Sequence, residues 1–129
     1  MISPDVIGRT FPGTSEVTVT QSQIDAFCSV IGEKNTAIAP PTFSIRISLE
    51  QSESILTSPE VGIIWDRLVH GEQKFEIKRA IKAGDVISCA STIESAKSAA
   101  GNEIISVRSD LTSSGELLVS SWSTLVIRA

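Results

Sequence analysis

The chain opens on short apolar stretches broken by turn formers and closes on long, alternating ones. Gly8 and Pro12-Gly13 interrupt the first dozen residues. Ser15-Glu16-Val17-Thr18-Val19-Thr20 then alternates and is rich in β-branched residues, which predicts a strand. Thr20-Gln21-Ser22-Gln23 has the form of a capping box, in which the Thr and Gln side chains satisfy unpaired N–H groups at a helix start. Ile24, Phe27, Cys28 and Ile31 follow at helical spacing on one face, and Gly32 can take the left-handed conformation that ends a helix. A helix is therefore predicted over about residues 21–32.

Pro40-Pro41 excludes regular helix before it, since each proline removes a donor and restricts its neighbour. A second helix is predicted from Pro41 or Thr42 to about Ser54. Phe43, Ile45, Ile47 and Leu49 alternate and fit a strand as well as a helix. The helix-forming run Leu49-Glu50-Gln51-Ser52-Glu53 and the preceding prolines favour the helix.

From Asp66 onward the character changes. Leu68 to Arg79, Val86 to Ala96, Glu103 to Thr112 and Leu117 to Arg128 are long segments rich in Val, Ile, Ser and Thr. Each is separated from the next by turn residues: Ala83-Gly84-Asp85, Ala100-Gly101-Asn102 and Ser113-Ser114-Gly115-Glu116. Short turns between such segments predict strands that pair consecutively and antiparallel. Ten or eleven residues make a strand roughly 35 Å long. Strand, helix, helix and a meander of long strands form an α+β arrangement. A five-stranded antiparallel sheet wrapped around a central helix is the hot-dog architecture. No repeat or linker divides residues 1–129, so one domain is expected.

Composition narrows the partners. The chain has 129 residues, 41% hydrophobic and 20% charged, a net charge of −4 and a pI near 4.9. Its Lys and Arg are scattered, which argues against nucleic acid, and no window approaches the ~20 apolar residues of a membrane span. The start of the chain lacks the basic-then-apolar pattern of a signal peptide, so a cytoplasmic location is expected. Cys28 and Cys89 have no C-x-x-C spacing and are expected as buried thiols. One His and two Cys are too few soft ligands for a structural zinc centre, and no cofactor is implied.

Several stretches resemble the MaoC-like hydratase/dehydratase family. Ile38-Ala39-Pro40-Pro41-Thr42-Phe43 is similar to the Ala-Pro-x-Thr-Phe segment that opens that family's central helix. Leu68-Val69-His70-Gly71-Glu72-Gln73-Lys74-Phe75-Glu76 resembles the first strand of its meander, and Ile81-Lys82-Ala83-Gly84-Asp85-Val86-Ile87 its Ala-Gly-Asp turn. Order and spacing are preserved over roughly residues 5–128. The resemblance is to (3R)-hydroxyacyl-ACP dehydratase subunits in which one hot-dog chain binds the acyl group and a partner chain does the chemistry.

The catalytic members carry Gly-Asp-x-Asn-Pro-x-His after the first helix, with Asp and His moving the proton. Here that stretch reads Gly32-Glu33-Lys34-Asn35-Thr36-Ala37-Ile38. Glu33 replaces Asp, Asn35 is kept, and Ile38 replaces His. Ile has no ionisable group and cannot take part in acid–base catalysis. The resemblance thus implies a non-catalytic, substrate-binding subunit working with a dyad-bearing second hot-dog chain. Such domains pair sheet edge to sheet edge, so a heterodimer or homodimer is expected. The carrier would be acyl-ACP or acyl-CoA.

Pro41, Thr42, Phe43, His70 and Gly71 are the substrate-contact candidates that the resemblance implies, the helix start being where a thioester carbonyl would lie. The acyl chain is expected between helix and sheet, with Ser44 and Ser48 either leaving room for it or facing solvent. Glu72, two residues beyond His70, is expected on the same strand face. An active thioesterase or dehydratase using Glu33, His70 or Glu72 is the second reading. A non-enzymatic acyl-CoA-binding module is the third. Structural roles compete for each residue: Trp65 and Trp122 as core or interface anchors, Gly84 and Asp85 as turn formers.

Overall fold

The computed structural model describes residues 2–129. Its sheet is built from β1 (Thr10–Pro12), β2 (Val17–Thr18), β3 (Leu68–Ile77), β4 (Val86–Ala99), β5 (Asn102–Ser113) and β6 (Glu116–Ile127). Between β2 and β3 lie α1 (Gln21–Ile31), α2 (Phe43–Gln51) and the single turn α3 (Glu53–Leu56). All pairings are antiparallel, in the order β1-β4-β5-β6-β3, with β2 also on β4. The sheet curls around α2.

Local chemistry accounts for the parts that match expectation. The capping box at Thr20 and Gln23 forms, and Gly32 ends α1 at φ 75°. The β4–β5 and β5–β6 turns are the two-residue pairs Ala100-Gly101 and Ser114-Gly115, all at positive φ. Turns of that hand match the right-handed twist of the strands they join.

Four features differ from the sequence reading. The predicted strand Ser15 to Thr20 is short, and the sheet edge is split into β1 and β2. The cause is Gln51, buried at the end of α2, whose Oε1 accepts from Ser15 N at 3.0 Å and Thr14 Oγ1 at 3.2 Å. Gly13 donates to Cys89 O at 2.7 Å, and a Cβ there would sit 2.8 Å from both Cys89 O and Gln51 Oε1.

Second, the central helix is broken at Ser52, whose Oγ donates back to Ser48 O at 2.6 Å. Such back-bonding competes with the helix ladder and bends it. The alternative strand reading of Phe43 to Leu49 does not hold: Phe43, Ile47 and Gln51 face the sheet on a helical period.

Third, β3 pairs with β6 and not with β4. Residues 78–85 therefore cross the open end of the sheet from one side to the other. Arg79 holds that crossing through Nη1–Asp85 Oδ2 (3.1 Å) and Nη2–Asp85 Oδ1 (3.0 Å), and Lys82 N donates to Asp85 Oδ2 at 2.9 Å. Buried Ile81 plugs the end.

Fourth, the tryptophans are not core anchors. Trp65 is 50% exposed, and Trp122 lies half-buried on the convex face, donating to Glu94 Oε1 at 2.7 Å.

Two apolar clusters make up the core. One gathers Ile24, Phe43, Ile47, Ile81, Leu111 and Leu118 around the start of α2. The other gathers Val6, Ile55, Ile93, Ile105, Leu125 and Ile127 beneath α3. A lane of buried polar residues separates them: Ser91, Ser109, Ser121 and Ser123 from the sheet, Ser48 and Ser52 from the helix. Among the described residues, every buried side-chain polar atom has a partner. Cys28 and Cys89 are free and buried, as expected.

Candidate functional site

The Gly32–Ile38 loop is shaped by its own polar residues. Glu33 N donates to Cys28 O, and the Glu33 carboxylate accepts from Asn35 N at 2.9 Å. Asn35 Oδ1 in turn accepts from Ala37 N at 3.1 Å, closing a local turn. Glu33 and Asn35 thus fold the loop. Burial pushes the Cys28 thiol up, with Glu33 and Asp25 adding to the effect. Its Sγ points to Asn35 O, so it holds this loop as a thiol.

Ile38, where the family resemblance expects a histidine, lines a cavity of about 210 Å³ at the start of α2 with Pro41, Ser44, Ile77, Ile81 and Val119. No titratable side chain lines it. Of the candidates there, Pro41 reaches this cavity and Thr42 is exposed, making no capping bond to the helix. Phe43 is a core residue, 1% exposed and edge-on to Phe27 at 5.5 Å. Ser44 and Ser48 neither leave a channel nor face water. Both are buried, donating to Pro41 O and Ile45 O. The void under the helix beside Ser48, Ser52, Ser109 and Ser123 is only about 10 Å³, near the minimum for one water.

A larger groove opens at the other end of the helix, against the edge strand β3. It holds about 510 Å³ between Leu49, Leu56, Trp65, Leu68 and Leu125. Glu50, Glu53 and His70 also line it. The volume lies within the ~300–1,000 Å³ usual for small-molecule sites.

His70 reaches this groove because of a bulge. The β3–β6 register shifts between His70 and Glu72, so His70 pairs with Leu125 and Gln73 with Ser123 on the concave face. Glu72 pairs with Thr124 and faces the convex side. The expectation that His70 and Glu72 share a face is therefore corrected: Gly71 is the extra residue that breaks the alternation. A Cβ at Gly71 would meet only ordinary contacts, so it acts as a spacer.

Gln73, which sequence reasoning passed over, is the hub here. Its Oε1 accepts from Ser123 Oγ at 2.6 Å and lies 3.0 Å from His70 Nε2, while its Nε2 donates to Ser121 Oγ at 2.6 Å. Only the bulge reveals that it faces inward. The candidates thus fall into two groups at opposite ends of α2, a helix about 13 Å long. Among the described residues no group of three or more His, Cys, Asp or Glu is placed to hold a metal.

A sheet curled around one helix, with the helix start beside the Gly32–Ile38 loop, defines a MaoC-like hot-dog domain. The chain belongs to the family whose model is described as "FAS1-like, dehydratase domain region", which matches residues 34–120. Similar proteins include the UPF0336 protein of Streptomyces griseus (36% identical, covering 95% of this chain and 93% of that one). That of Streptomyces coelicolor is 34% identical, covering 99% and 96%. In fold, the chain matches the C-terminally truncated HadBC (3R-hydroxyacyl-ACP dehydratase) complex from Mycobacterium tuberculosis. The TM-score is 0.81 at 21% identity, covering 95% of this chain and 97% of that one. No helix among the described residues is long and apolar enough to cross a membrane.

Proposed function

We propose that this chain is the substrate-binding, non-catalytic subunit of a (3R)-hydroxyacyl-thioester dehydratase, paired with a second hot-dog chain that carries the Asp/His dyad. The observation that carries the reading is Ile38. It stands in place of the proton-transferring histidine and lines a cavity with no titratable group. Proton transfer by a positioned side chain is typically worth ~10²–10⁴-fold, and that contribution must come from another chain. The acyl chain occupies the groove at Trp65, Leu68 and Leu125, which is apolar, large enough and open at the sheet edge. The fold match to a chain of a dehydratase complex supports the partnership.

The reading of an active enzyme using Glu33, His70 or Glu72 loses support from the geometry. Glu33 is bound within its loop, and Glu72 is on the opposite sheet face from His70.

The test is co-expression with a dyad-bearing hot-dog chain from the same genome, followed by size exclusion and a trans-2-enoyl thioester hydration assay. Co-purification with activity that the isolated chain lacks is the expected result. Turnover by the isolated chain, abolished in His70→Ala, overturns the proposal. Acyl-CoA titration should quench Trp65 fluorescence, and Trp65→Phe should remove that signal while leaving Trp122 as the remaining emitter.

A further inference from the structure

Most of the wall of the groove beside β3 is apolar, and its few polar side chains are mainly acceptors. Glu50 and Glu53 bring carboxylates, which only accept hydrogen bonds, and neither pairs with a cation among the described residues. Trp65 brings one indole N–H. His70 brings an imidazole, and the bonds around it decide which of its nitrogens carries the proton.

Gln73 locates that proton. Its Nε2 lies 2.6 Å from Ser121 Oγ and 3.4 Å from the Lys74 carbonyl, which can only accept. The amide oxygen therefore faces the other way, accepting from Ser123 Oγ at 2.6 Å and lying 3.0 Å from His70 Nε2. An amide oxygen has no proton to give, so His70 Nε2 carries one. In the neutral ring Nδ1 is then a bare acceptor, and it has no partner among the described residues. His70 is exposed on the groove wall, which leaves that lone pair open to a ligand.

We propose that the groove selects an aliphatic ligand bearing a hydroxyl out along its chain, and that this hydroxyl donates to His70 Nδ1. A methylene covering Nδ1 strips it of water and returns no hydrogen bond. A carboxylate has no proton to donate and is repelled by Glu50 and Glu53. A hydroxyl donates and carries no charge. The proposal rests on the reading of this groove as the place for an aliphatic chain, and adds the group which that chain carries. His70 sits at the far end of α2, a helix about 13 Å long, from the start where the thioester would lie. The hydroxyl is therefore remote from the thioester.

The experiment titrates the Trp122→Phe chain, in which Trp65 is the single emitter, with n-octanol and with heptyl methyl ether. The ether has the same heavy atoms and no donor. Octanol should bind about five-fold more tightly, the worth of one neutral hydrogen bond, and octanoate more weakly than the ether. His70→Phe keeps a flat ring and should bring octanol to the level of the ether. His70 is the sole histidine, so nitrogen NMR of imidazole reads its tautomer directly. At mildly alkaline pH, where an ordinary imidazole is neutral, the ring should be protonated at Nε2, and octanol should move the Nδ1 signal more than the Nε2 signal. Equal affinity for octanol and ether overturns the proposal while keeping the groove as a place for a chain. Binding of neither ligand overturns both readings of the groove. A ring protonated at Nδ1, or an octanol preference that persists in His70→Phe, overturns the proposal alone.

Discussion

The two ends of the central helix make opposite use of the same architecture. At its start, Ile38, Pro41, Ile77, Ile81 and Val119 surround a cavity without a titratable group. At its far end, Glu50, Glu53 and His70 line a groove, and His70 in turn meets Gln73, which is bonded to Ser121 and Ser123. Packing explains the first end, since these apolar side chains bring no ionisable group whose burial would carry a desolvation cost. Packing does not explain the second, where Trp65 is 50% and Leu49 39% exposed. A concave, mostly apolar groove with a few polar groups is the kind of surface that small-molecule sites use. The comparison teaches that one end of α2 is closed by apolar packing while the other is left open as a groove lined by both apolar and titratable side chains.

The largest expected effect falls at the helix start. Phe43→Ala should cost about 4 kcal/mol, because the ring is fully buried against Phe27. Urea denaturation measures it, and a loss below ~1 kcal/mol would show that this end is not core but site.

Next comes the crossing loop that closes the same end. Burial by itself raises the Asp85 carboxyl, but the paired N–H groups of Arg79 and the Lys82 N–H outweigh it and hold the carboxyl below its usual range. A depressed carboxylate stabilises the fold above its unfolded value of ~3.9, and that contribution is lost as pH falls through the lower folded value. Thermal melts from pH 7 to pH 2 should show this acid limb. Asp85→Asn should flatten it and cost about 2 kcal/mol at pH 7. An unchanged limb would place the acid sensitivity elsewhere.

At the other end the effects should be smaller. Gln73→Ala leaves Ser121 and Ser123 without their shared partner and should cost roughly 1.5 kcal/mol. His70→Ala, at an exposed position, should change stability by no more than about 0.5 kcal/mol. Acyl-CoA titration of His70→Ala then sharpens the comparison. Weakened binding with unchanged stability marks a groove, and a stability loss above ~1 kcal/mol would make His70 structural.

By itself the sequence determined most of what depends on near neighbours. The Thr20–Gln23 box and Gly32 bounded α1, and Pro40-Pro41 set the entry to α2. The small turns at Ala100-Gly101 and Ser114-Gly115 joined β4, β5 and β6 into a meander. The side chain Ile38 itself was likewise legible, and its lack of an ionisable group follows from residue identity alone. The tertiary structure alone decided what depends on partners distant in the chain. Gln51 splits the first strand through residues almost forty positions earlier. Arg79 and Asp85 carry residues 78–85 across the sheet so that β3 joins β6, where short-turn logic pairs it with β4. A bulge at Gly71 sends Glu72 outward and puts His70, at the groove, and Gln73 on the same concave face. Alternation along a strand is a local rule, and one inserted residue reverses every side chain beyond it. Its place is set by the strand alongside, more than fifty residues away in sequence.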